Sequence, residues 1–78
     1  MPSTAIRRFS YDEETQMLFV TFIDGDLYAY RGVEREAYVA MQAAFSKGRF
    51  FAAHIRGRYE YAKLPPPGED APVRFRPA

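Results

Sequence analysis

Residues 17–31 read MLFVTFIDGDLYAYR, and this stretch limits the fold more than any other. Its first half is rich in β-branched and aromatic side chains, which suit a pleated surface. Leu18, Val20 and Phe22 fall on one face, and Met17, Phe19, Thr21 and Ile23 on the other. Apolar residues on both faces predict a central strand, or one covered on both sides. Asp24 and Gly25 then turn the chain. A two-residue turn would set Phe22 opposite Leu27 and Tyr28 opposite Thr21. A three-residue loop, Ile23-Asp24-Gly25 with Gly25 left-handed, would set Val20 opposite Tyr28 and Leu18 opposite Tyr30. The second register gathers both tyrosines onto the Leu18, Val20 and Phe22 face and is preferred for that reason. A slip of one residue would reverse the faces.

The flanking segments add to this hairpin. Ile6 to Tyr11 alternates enough for a first strand, and Asp12, Glu13, Glu14 and Thr15 suit a turn. Beyond Gly32, apolar residues Val33, Ala37, Tyr38, Met41, Ala44 and Phe45 recur at helical spacing. The spacing predicts a main helix over about 34–46, with Lys47 near its negative end and Gly48 as a left-handed stop. No convincing N-cap residue precedes it. Residues 49–56 read as a short second helix ended by Gly57, and Tyr59-Glu60-Tyr61 as a short last strand on a sheet edge. The expected architecture is an α+β domain: a small antiparallel sheet packed against one main helix and one short helix. Its expected core joins Leu18, Val20, Phe22, Tyr38, Met41, Phe45 and Ile55.

Length and composition set the scale. A chain of 78 residues forms one domain that buries only about 60% of its unfolded surface. Cysteine is absent, so neither a disulfide nor a thiolate metal site is available. Seven Phe and six Tyr must therefore supply much of the burial. Residues 1–64 are expected to form the domain. Pro65, Pro66, Pro67 and Gly68 open an extended tail over 65–78, in which Val73 and Phe75 are the residues able to dock. No apolar run reaches the ~18 residues of a membrane span, and the start MPSTAIRRF lacks the apolar core of a secretory signal. A cytoplasmic protein that engages no membrane is expected.

An ordered set of residues carries a resemblance. It comprises Ser3-Thr4-x-Ile6, Tyr11-Asp12, Leu18-x-Val20-x-Phe22, Gly25, Tyr28-x-Tyr30, Val33, Tyr38, Ser46-x-Gly48, Phe50-Phe51, Ile55 and Tyr59-x-Tyr61. The set resembles the KTSC domain, a module found at the C-terminus of some lysyl-tRNA synthetases and as small stand-alone bacterial proteins. The resemblance spans about residues 3–64 and implies an accessory domain with no established activity of its own. The company of a synthetase implies RNA as a partner. Three positions depart from the pattern: Thr4 stands for a second serine, Glu34 for the proline usual at the helix entrance, and Ala52 for an asparagine after the aromatic pair.

Charge is distributed unevenly. Residues 1–46 hold four Lys/Arg against seven acids, whereas residues 47–63 hold five against one. The candidate nucleic-acid contacts are therefore Lys47, Arg49, Arg56, Arg58 and Lys63, with Tyr59 and Tyr61 available to stack a base. A solvated basic face around a small core is the competing account. Tyr28 and Tyr30 likewise read either as a stacking platform or, preferred in so small a domain, as rings packed under the helix that carries Tyr38, Met41 and Phe45. Catalysis is not expected. Asp12, Glu13 and Glu14 lack metal-loop spacing, the glycines form no phosphate loop, and His54 is the lone histidine, with no sequence sign of a partner. No cofactor is expected. The alternative function is a protein-interaction or self-association module, with the tail or an edge strand recruiting a second copy.

Overall fold

The computed structural model describes residues 5–78, so the Ser3-Thr4 part of the pattern lies outside the described residues. The elements run β1 (Ile6–Asp12), β2 (Met17–Phe22), β3 (Leu27–Arg31), α1 (Arg35–Ala43), α2 (Lys47–His54) and β4 (Glu60–Leu64). The four strands form one antiparallel sheet in the order β1-β2-β3-β4, so β2 is a central strand, as its two apolar faces required. The α+β architecture expected from the alternation and periodicity is the one observed.

The β2–β3 hairpin takes the three-residue loop. Leu18 lies opposite Tyr30 and Val20 opposite Tyr28. The Phe22 N–H donates to the Asp26 carbonyl, the Gly25 N–H donates to the Phe22 carbonyl, and Gly25 sits at φ 95°. That left-handed residue closes the loop and keeps the whole Leu18 face on one side. An Asx turn, in which Asp24 Oδ1 accepts from the Asp26 N–H at 3.0 Å, stiffens it further.

Leu18, Val20, Phe22, Tyr30, Val33, Met41, Phe51 and Ile55 form the buried cluster, each no more than 4% exposed. Both helices contribute to it from the same side of the sheet. On the opposite side, Ala29 and Ala62 are buried beneath larger neighbours, and Phe19, Thr21, Leu27 and Leu64 line a shallow open groove.

Two expected core members sit elsewhere. Phe45 is fully exposed rather than buried. The helix expected over 34–46 ends at Ala43, and Ala44 turns to extended backbone at ψ 139°. Ser46 starts a new helix instead, its Oγ accepting the Arg49 N–H at 3.2 Å. Gly48 therefore lies inside α2 and does not act as a left-handed stop. The break swings Phe45 into solvent, and Phe51 takes the central place instead. Its ring meets Phe22 and Tyr30 edge-on, at centroid distances of 5.4 and 5.3 Å. Tyr38 is half-buried at the rim, stacked on Tyr11 at 4.7 Å and edge-on to Phe9 at 5.9 Å.

Beyond β4 the chain returns to the sheet. Tyr61 and Arg76 exchange two backbone hydrogen bonds, of 3.0 and 2.7 Å, across the outer edge of β4. Of the two tail residues able to dock, Phe75 is the one in contact, and Val73 stays exposed.

Candidate nucleic-acid interface

Antiparallel pairing of β3 with β4 places Tyr30 opposite Tyr61 and Tyr28 opposite Lys63. Opposed residues share a face. The rings of Tyr28 and Tyr61 lie 6.3 Å apart and those of Tyr30 and Tyr61 6.1 Å, so the three form one aromatic row. After α2 the chain turns through residues 55–58, with Gly57 at φ 78°. That turn carries Arg56 to the end of the row. Tyr28, Tyr30, Arg56, Gly57, Tyr61, Pro77 and Ala78 line an open cleft of about 470 Å³.

The cleft has a graded interior. Tyr30 is its floor, only 4% exposed, with its ring on Phe51. Burial, and then the neighbouring Tyr28, push its phenol far above the ordinary range, with Arg56 acting in the opposite direction. Tyr28 and Tyr61 are half-buried and leave ring surface open. Flat π surface beside a guanidinium suits a planar ring carrying an anionic group.

The other basic and aromatic candidates have separate places. Lys47 caps α1: its Nζ donates to the carbonyls of Gln42 and Ala44. Arg49 is exposed on the first turn of α2, and Arg58 is exposed after Gly57. Lys63 flanks the cleft and pairs with Asp26 at 3.6 Å. Tyr59 packs against the core outside the cleft lining, and its hydroxyl donates to Glu34 Oε2 at 2.6 Å. Burial and that bond push the Tyr59 phenol up to about 12, and the same bond draws the Glu34 carboxyl below its ordinary value. The structure thus joins Arg56 and Tyr61 to Tyr28 and Tyr30, and leaves Lys47, Arg49, Arg58, Tyr59 and Lys63 outside the cleft lining. Tyr30 is buried in the core cluster with Met41, as expected, and the ring contacts of the two tyrosines are with Phe22, Phe51 and Tyr61.

The arrangement offers little for bond-making chemistry. His54 is exposed and lays its ring on Phe50 at 4.7 Å, while Ser46 Oγ is engaged as a cap. Among the described residues, no three His, Cys, Asp or Glu side chains gather to hold a metal ion. No helix of the described residues is long and apolar enough to cross a membrane.

A four-stranded meander with both helices on one face and a tyrosine cleft at its β4 edge defines a small α+β domain. The family model of the KTSC domain matches residues 2–59, and the chain belongs to that family. A KTSC domain protein of Yersinia pestis has a crystal structure that superposes with a TM-score of 0.74 at 35% identity, covering 83% of this chain and 92% of that one. A lysine–tRNA ligase of Nostoc punctiforme is 33% identical over 61 residues, which is 78% of this chain but 11% of the ligase. An uncharacterised protein of Stutzerimonas stutzeri is 41% identical over 51 residues, covering 65% of this chain and 72% of that protein. The chain therefore matches about a tenth of the ligase's length, and its domain also occurs in small proteins.

Proposed function

We propose that this domain is a non-catalytic accessory module that binds single-stranded RNA weakly through the tyrosine cleft. The observation that carries this reading is the convergence of Arg56 with the open rings of Tyr28 and Tyr61 in one cleft. A base stacks on the rings and its phosphate meets the guanidinium. Lys63 and the exposed Arg58 extend the positive field along the flanking backbone. The acids of residues 1–46 oppose that field, so the affinity is low and salt-sensitive. The occurrence of similar sequence within lysine–tRNA ligases supports RNA over other anionic polymers.

The test is a titration of labelled mixed-sequence RNA and single-stranded DNA at low and at physiological salt. Two or three neutralised phosphates give a slope of log K against log salt near about −1.4 to −2.1. Arg56→Gln flattens that slope by about 0.7 and weakens binding without moving the melt. Absence of binding to either strand at low salt defeats the proposal.

A second reading, self-association, is supported by the isolated Tyr61–Arg76 bridge at the β4 edge. The same pairing made between two copies would give an exchanged dimer. Sedimentation of the whole chain across a concentration range decides it, and a monomer throughout rejects it.

A further inference from the structure

The wall of the cleft formed by Pro77 and Ala78 belongs to a segment beyond residues 2–59, the part matched by the family model. Two contacts hold this segment, one at the edge of the sheet and one on its outer face. At the β4 edge, Arg76 exchanges backbone hydrogen bonds with Tyr61 in both directions. On the outer face, the guanidinium carbon of Arg31 lies 4.3 Å from the centroid of the Phe75 ring. Arg31 is itself held by Glu60, whose Oε1 accepts from Nε at 3.0 Å and from Nη2 at 2.9 Å. Consecutive side chains on an extended strand point to opposite faces. With Phe75 on the Arg31 side and Arg76 opposite Tyr61, the Arg76 side chain falls on the Tyr61 face, next to the cleft whose wall is Pro77 and Ala78.

We infer that the docked segment carrying Pro77 and Ala78 is a fixed wall of the RNA cleft and that Arg76, paired with Tyr61, is a second phosphate contact beside it. This rests on the single-stranded RNA reading and deepens it. Arg56 and Arg76 then both serve the rings, one from the α2–β4 turn and one from the tail. A base seated on Tyr28 and Tyr61 has two cations for the phosphates that flank it. Phe75 acts through Arg31 as a positioning residue: it touches no ligand but keeps the strand in register.

The experiment compares the full chain with Arg76→Gln and Phe75→Ala, using a short labelled mixed-sequence RNA. Arg76→Gln is expected to weaken binding several-fold at low salt and to flatten the salt slope by about 0.7. Phe75→Ala removes no charge and is expected to weaken binding to a similar extent. Its amide exchange at Arg76 and Tyr61, measured without RNA, is expected to be faster than in the parent. If Arg76→Gln weakens binding and Phe75→Ala does not, the fixed wall is wrong. If both variants bind more tightly, the segment is a lid competing with RNA, and the assignment is overturned. If the parent binds no RNA at low salt, the cleft reading fails and the assignment falls with it. Slow exchange at Arg76 would still show that the strand is docked, so the two failures remain distinct.

Discussion

Glu34 stands where the family pattern carries proline, and it replaces a conformational constraint with a polar contact. It is the N-cap residue of α1 by backbone geometry but makes no side-chain cap bond. Its carboxylate reaches instead to the Tyr59 hydroxyl, 25 residues away, just before β4 begins. The bond links the start of α1 to the entry of the last strand, and its pH dependence has two limbs. The Glu34 carboxyl is depressed in the folded chain, so its contribution is present above the ordinary value of 4.5 and is lost as pH falls through the folded value. The Tyr59 phenol is raised, so its contribution is full below 10.0 and is lost as pH climbs towards about 12. Tyr11, whose hydroxyl donates to the Val33 carbonyl at 2.6 Å, is also raised, chiefly by burial, and adds to the alkaline limb. Tyr59→Phe is therefore expected to shallow the fall in melting temperature at both ends of the pH range. Parallel acid and alkaline curves for parent and variant would show that the bond adds nothing.

The connection between α1 and α2 is the element that most changes the packing. Lys47 and Ser46 divide the work across three residues of linker. Lys47 satisfies carbonyls at the end of α1, and Ser46 satisfies the free Arg49 N–H of α2. Removing that cap with Ser46→Ala is expected to cost about 1 kcal/mol. The break also decides which aromatic matters. Phe51→Ala empties the centre of the cluster and is expected to cost about 3–5 kcal/mol, enough to threaten folding in so small a domain. Phe45→Ala is expected to stay within about 0.5 kcal/mol of the parent, since its ring touches water on all sides. Thermal melts of the two variants side by side check the assignment, and equal losses would return Phe45 to the core. Helical spacing alone favoured Phe45, because a 3.6-residue period continues smoothly through Ala44. The contrary signal was present in Ser46, which can cap only if the chain has left α1 by then.

For the whole molecule, legibility follows sequence separation. The hairpin register was readable because a left-handed glycine and a period of two act over a few residues. The β4 strand was readable from Tyr59-Glu60-Tyr61. Its partner β3 lies some thirty residues back, so the row of Tyr28, Tyr30 and Tyr61 emerges only once that pairing exists. Arg56 stood out as a cation, but its place beside those rings depends on the turn over residues 55–58. The Tyr61–Arg76 bridge spans a run of prolines and has no periodic signature at all. The strand order bears on how the chain finds this state. Each neighbour in β1-β2-β3 is also the next strand along the chain, so those pairings close short loops at small entropic cost. The β3–β4 ladder must wait for residues 32–59 to order. Folding should thus begin as a three-stranded sheet onto which α1 and α2 collapse, and the tyrosine cleft should be among the last features to form and the first to open.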